Sequence, residues 1–375
     1  MAAFVTLATT QGCAPDTPLR PAVTCLASGD ETTINSALSG PTGIAALCPG
    51  AVFDLRGPVV FTRDGQQLYT AGFPTGSTRA TLRVASPSLV TALMLRGRNR
   101  AVLSHVIVDG NRTQLGPAPG GEALIMMGGV ASGQRVEYVR AFEPRGWTCL
   151  HAWEGDGLAC TNATIAHNEF GPAGQPNGEW ADGISLACRN SQVHHNTITD
   201  ATDGGIVIFG APGSVVAGNT VRAVSRALLG GIAMVDYGPF DGDYTRTVVD
   251  SNVIEGASRQ IIIGIAMGSQ AWTCRPGTPR LSGAFVSHNT LRGDFGYGYA
   301  VDGVTNWTVA DNISSGRYTG TPVQSCGGRL PSPPGAFQVT RDSSSGTFQA
   351  EFTDAVLDGA LFAFGNPAIR PRSVR

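Results

Sequence analysis

Two aspartates stand 21 residues apart and each is followed by glycine, in Asp182-Gly183-Ile184 and Asp203-Gly204-Gly205-Ile206. If that spacing is one coil of a repeating fold, strands about 4.8 Å apart bring the carboxylates to about 5–8 Å from one another. The extra glycine sets them one place out of line. That range spans the geometries of acid-catalysed glycoside cleavage, about 5–5.5 Å for retention and about 6.5–9.5 Å for inversion. One acid would protonate the leaving oxygen while the other activates water or attacks the anomeric carbon. Mutual repulsion raises one pKa, as a general acid requires. Aspartate before glycine is also ordinary turn chemistry, so the pairing carries the reading rather than either residue alone.

The segment from Gly146 to Asp203 concentrates unusual residues around this pair. It holds Trp147, His151, Trp153, Glu154, Asp156, Glu179, Trp180 and Asp200, with three of the five tryptophans of the chain. Indoles stack on the C–H faces of sugar rings, so Trp147, Glu154 and Trp180 read as substrate-binding residues, although tryptophan also fills coil corners. His151 is a third catalytic candidate, able to act as acid or base near neutral pH. Further along, Asp236, Tyr237 and Tyr244 are expected to line the same cleft. Asp241 and Asp243 form the one candidate calcium pair, since hard cations take several oxygens; two loop aspartates equally suit a solvated turn. No other metal or cofactor is expected, because no cysteine–histidine spacing resembles a zinc site and no glycine motif resembles a phosphate cradle. Lysine is absent and all 26 basic residues are arginine, which excludes a lysine base or Schiff base. Arg222, Arg226 and Arg246 are candidates to neutralise an acidic sugar, although among 26 arginines each equally suits a structural or exposed place.

What must position these groups is a repeat. Asn168, Asn196, Asn219, Asn252, Asn289 and Asn312 each follow a β-branched residue by three places: Ile165, Val193, Val216, Val249, Val286 and Val309. Five have an apolar residue two places on, namely Phe170, Ile198, Val221, Ile254 and Leu291. Recurrence with variable insertions marks a solenoid whose loops grow at one corner. The pattern predicts strand, tight turn at Asn, then strand, with Asn itself in the left-handed conformation that it tolerates and its side chains forming a ladder. Gly183-Ile184, Gly205-Ile206, Gly231-Ile232 and Gly264-Ile265 mark the other half of each coil. His167, His195 and His288 each precede a ladder Asn and read as stacked turn residues rather than metal ligands.

Composition agrees with coil after coil of buried strand. The chain has 375 residues, 50 glycines and 14% charged residues, with a formal net charge of −2. Nothing in it suggests nucleic acid or a membrane as partner; oligomeric state is left open. Eight cysteines and four Asn-X-Ser/Thr sequons, at Asn111, Asn162, Asn306 and Asn312, indicate secretion. The short apolar stretch Ala2 to Ala8 fits a signal-peptide remnant and is no membrane span. Cys160 and Cys188 each lie eight residues before a ladder Asn and should stack in adjacent coils; Cys274 and Cys326 fall in loops and can pair. One structural domain is expected: an N-terminal segment and capping helix (1–50), coils (51–315), and a C-terminal loop with closing strands (316–375). The helix is placed at Glu31–Leu38 by the spacing of Ile34 and Leu38.

From capping helix through Asn ladder, the chain resembles the pectin-lyase-like superfamily, especially its secreted fungal members. The resemblance implies an all-β, right-handed, single-stranded parallel β-helix. Asp182-Gly183-Ile184 and Asp203-Gly204 resemble the aspartate strings of polygalacturonase-type glycosidases, one coil apart. The chain departs from them in having Gly204 where a second aspartate is usual and Leu229-Gly230-Gly231 where Gly-His-Gly is usual. It also lacks a later Arg-Ile-Lys. The leading expectation is a secreted glycoside hydrolase acting on a polysaccharide or oligosaccharide. A polysaccharide lyase or uronate epimerase, whose base would be arginine, histidine or tyrosine, is the first alternative; a non-catalytic glycan-binding or cell-wall protein is the second.

Overall fold

The computed structural model describes residues 24–175, 179–235, 238–272, 280–320 and 331–357. Three strands make each coil. In one, Gln192–His194, Thr197–Thr199 and Gly204–Ile208 follow one another. In the next, Val215–Ala217, Thr220–Ala223 and Leu228–Met234 lie above them in parallel register. Eleven first strands stack into one sheet, from Ile44–Leu47 to Gly346–Phe348. The second and third strands stack beside it and merge where Val253–Met267 and Thr290–Val301 run from one face to the next. The product is a parallel β-helix with one continuous apolar core running through the coils.

The Asn ladder is present throughout, with a corrected turn. The left-handed residue is the one before Asn: His167, His195, Gly218, Ser251, His288 and Asp311 have φ between 52° and 63°. That turn swings the Asn side chain into the stack. Asn196 Oδ1 accepts from both Nδ2 (2.8 Å) and the backbone N–H (3.0 Å) of Asn168, while Asn196 Nδ2 donates to Asn219 Oδ1 (2.9 Å) and to the Ile165 carbonyl (2.8 Å). The pattern continues through Asn219, Asn252, Asn289 and Asn312. Gln349 then takes the next rung, its Oε1 accepting from the Asn312 N–H at 2.9 Å. The sequon at Asn312 is correspondingly enclosed, its Nδ2 held by the Val286 and Ala310 carbonyls.

The Gly-Ile repeat and the apolar residue after each Asn prove to be one packing unit. A Cβ on Gly205 would stand 2.5 Å from Val221 Cγ1, and one on Gly231 would stand 2.5 Å from Ile254 Cγ2. The carbonyl of the next coil's glycine comes as close, at 2.5 Å from a Cβ on Gly205 and 2.4 Å from one on Gly231. Only glycine therefore lets that backbone and the branched side chains meet at the corner, a close approach rather than a matter of φ.

The ends are tied. Helix Glu31–Ser39 starts at Asp30, whose carboxylate accepts from the Thr32 and Thr33 N–H groups. Its Ile34 and Leu38 close the first coil's core. Cys25 pairs with Cys48, and Cys160 with Cys188 across adjacent coils at a Cα separation of 4.9 Å. Cys274 and Cys326 lie outside the described residues. Among the described residues, no helix is long and apolar enough to cross a membrane.

Candidate active site

The outward face of the third strands carries the residues in question. His151 is level with Met126 below and Ser185 above, and Ser185 is level with Val207, then Ala233 and Ala266. Beyond Val207 this face is apolar and covered, with Trp272, Ala355 and Leu357 in the same cluster. Among the described residues, the polar groups in question therefore lie on strands Thr148–Trp153, Asp182–Leu186 and Gly204–Ile208 and on the coils before them.

Asp182 is buried and its carboxylate is engaged. Oδ1 accepts from the Gly204 N–H at 2.8 Å, the amide that joins Asp203 to Gly204, and Oδ2 accepts from Ser185 Oγ at 2.9 Å. Ser185 Oγ also lies 3.0 Å from Thr148 Oγ1. The one-place offset read from sequence is there: Ile184 pairs with Ile206, which sets Asp182 level with Gly204. A Cβ at Gly204 would meet Val207 Cγ2 at 2.2 Å and Asp182 Oδ1 at 3.2 Å. The second aspartate of the glycosidase string has no room here. Asp203 itself is only part-buried by surface, yet loss of solvation pushes its carboxyl up to about 6.

His151 packs edge-on to Trp147 (ring centroids 4.9 Å apart) and lies 6.4 Å from Phe209. Its Nδ1 is sealed from solvent without a hydrogen-bond partner. Burial, and then the positive charge of Arg96, push its pKa down to about 4, so the ring is neutral at neutral pH. Arg96 lies with its guanidinium carbon 3.6 Å from the Trp153 ring centre. It reaches there across Gly128, the residue level with Trp153 in the coil between. Burial raises Glu154, next in the chain, and Arg96 partly offsets that rise. Trp180, on the short antiparallel pair Gly174–Gln175 and Glu179–Trp180, packs with Phe209 against the apolar cluster. Its Nε1 is the second buried polar atom of this region without a partner.

The structure thus brings Asp182, Asp203, His151, Trp147, Glu154 and Trp180 to three successive coils. It does not bring Tyr244: that ring is in the core, fully buried, its hydroxyl donating to the Ile208 carbonyl. The expectation that Tyr244 lines the cleft is corrected by that burial. Asp236 and Tyr237 lie outside the described residues. Asp243 closes a local turn, Oδ1 accepting from the Thr245 N–H at 2.7 Å. Among the described residues, neither it nor Asp241 belongs to a cluster of three potential ligands. Asp200 caps a turn through the Val224 and Ser225 N–H groups. Arg222 pairs with Glu255, and Arg226 with Glu143. Arg96 was missed in the sequence: it stands 57 residues before Trp153, and only the coil register makes them neighbours.

A family model described as a right-handed beta helix region matches residues 146–314. Among solved structures, an alginate lyase from Paenibacillus sp. superposes with a TM-score of 0.55 at 15% identity, over 77% of this chain and 95% of that one. The A-module of a mannuronan C-5 epimerase from Azotobacter vinelandii gives 0.58 at 12% identity, over 88% and 86%. The catalytic domain of Agl-KA gives 0.54 at 12%, over 91% and 67%. The chain has the right-handed parallel β-helix fold. No curated protein matches the sequence. At these identities the likeness is one of fold, so the chemistry of this β-helix rests on its own residues.

Proposed function

We propose that this β-helix is a secreted carbohydrate-active enzyme that cleaves an acidic polysaccharide by β-elimination. The observation that carries it is the contrast between His151 and Asp182. His151 is neutral, held by aromatic packing, and within the field of the cation Arg96. Asp182 has an occupied hydrogen bond on each oxygen and is buried. Hydrolysis needs two carboxylates that reach substrate and water; elimination needs one base, one acid and a cation.

In the proposed step, Arg96 neutralises the uronate carboxylate, and Trp147 and Trp180 hold the sugar rings. His151 Nε2 removes the proton α to that carboxylate, at C5. The electron pair forms the C4–C5 double bond as the C4–O bond breaks, and a water molecule protonates the departing oxygen. An anionic substrate raises the His151 pKa as it docks, which strengthens the base when it is needed. Reprotonation of C5 from the other side, without cleavage, would make the same site an epimerase. The alginate lyase and the epimerase among the structural neighbours support this reading over other uses of the fold. Two disulfides support an oxidising, extracellular setting.

Glycoside hydrolysis is the second reading, favoured by the raised pKa of Asp203 beside Asp182. Substitution separates the two. Under elimination, His151→Gln abolishes turnover and Asp182→Asn keeps most of it per folded molecule. Under hydrolysis, Asp182→Asn abolishes turnover and His151→Gln lowers it only modestly.

A further inference from the structure

A second constellation lies on the other side of the coil, on the first strands. The left-handed residues before the Asn ladder form an external aromatic column: His105 stacks on Tyr138 (4.7 Å), Tyr138 on His167 (4.9 Å), and His167 on His195 (5.1 Å, rings 12° from parallel). His194, the last residue of its strand, stands beside this column. Its ring is nearly perpendicular to those of His167 and His195, at 88° and 87°. Successive residues of a strand point to opposite faces, but the positive φ of His195 turns its ring back beside that of His194. Their Nδ1 atoms are 3.0 Å apart.

We propose that His167, His194 and His195 bind one divalent transition-metal ion, of the zinc or copper kind, and so clamp two adjacent coils. One nitrogen from each ring lies within 4.8 Å of the others. Zinc bonds of about 2.0–2.1 Å in tetrahedral geometry need nitrogens about 3.3 Å apart. The His194–His195 pair is already near that bite, and the exposed His167 ring has only to tilt toward them. Three imidazoles select zinc, copper or nickel over calcium and magnesium, which prefer oxygen. Glu137 stands on the His194 strand column two coils earlier and adds negative potential there, although Arg135 is paired with it at 2.6 Å. The site involves no residue of the candidate active site and does not depend on the proposed activity.

The test is calorimetric titration of Zn²⁺ into untagged, chelator-treated protein, with thermal unfolding recorded alongside. One equivalent is expected to bind at micromolar affinity and to raise the midpoint. His194→Ala and His167→Ala should each weaken binding at least tenfold and remove most of the midpoint rise. His288→Ala, in the same column but paired with Asp250, should change neither. The metal-free midpoints of all three variants report whether folding is intact. Absence of stoichiometric binding to the wild type, or binding unchanged in His194→Ala, would overturn the proposal.

Discussion

At the scale of residues, two groups in the candidate site titrate in opposite senses, and both signs can be measured. Asp203 has a folded pKa raised to about 6 above an ordinary value near 3.9. The folded state therefore holds a proton that the unfolded chain has lost, and the stability it contributes fades as pH rises from about 4 to 6. His151 has a folded pKa lowered to about 4 from near 6.5. Its contribution is lost as pH falls through the same window, and is restored as pH rises. Against the wild type, the thermal midpoint of Asp203→Asn should climb between pH 4 and 6, while that of His151→Gln should fall. By pH 7 relief of the buried charge should stabilise Asp203→Asn by about 1–3 kcal/mol. Parallel slopes for the two variants would show that the groups do not have these environments. For Asp182, truncation to alanine strands the Gly204 amide and should cost about 1–3 kcal/mol, read as a shift in denaturant midpoint.

Between residues and molecule lies the coil corner, where glycine, the branched residue after Asn, and the Asn ladder act together. Gly205→Ala drives a methyl into both the Gly231 carbonyl oxygen and Val221 and should destabilise by about 1–3 kcal/mol. Val221→Ala in the same chain relieves the side-chain part of that clash but not the carbonyl part, so it should recover a fraction of the loss and give a double-mutant coupling different from zero. Additive losses would mean that the two repeats are independent. Asn219→Ala breaks a rung on both sides, with about 1–3 kcal/mol expected for each stranded partner. These corners are the part of the protein most legible in its sequence, since a buried ladder tolerates few residue types and repeats them at each coil. The left-handed position was misplaced by one residue because His, Gly, Ser and Asp all occupy it and none marks it alone. Gln349 escaped notice for a like reason: it takes the ladder's role with a longer side chain and without the flanking pattern.

Over the whole molecule, chemistry is assembled by register, and register is set by insertions that sequence spacing does not resolve. The one-coil pairing of Asp182 and Asp203 was readable because 21 residues is close to a bare coil. The sealing of Asp182 was not, since it depends on Ser185 and the Gly204 amide arriving from two coils. Arg96 reaches Trp153 over an intervening coil, and His194 joins His167 only because a left-handed turn follows it. Cys160–Cys188 fastens the coils at the edge of the candidate site. Replacing both cysteines with serine should lower stability by about 2–4 kcal/mol and leave the site chemistry in place, seen as activity retained below the lowered midpoint.

The decisive measurement is product formation from a panel of polyuronates, reading ultraviolet absorbance and reducing ends together for the wild type, His151→Gln and Asp182→Asn. Elimination by His151 requires absorbance and reducing ends to rise in step for the wild type and Asp182→Asn, with neither rising for His151→Gln. Reducing ends without absorbance, lost in Asp182→Asn, would contradict it and give the site to hydrolysis.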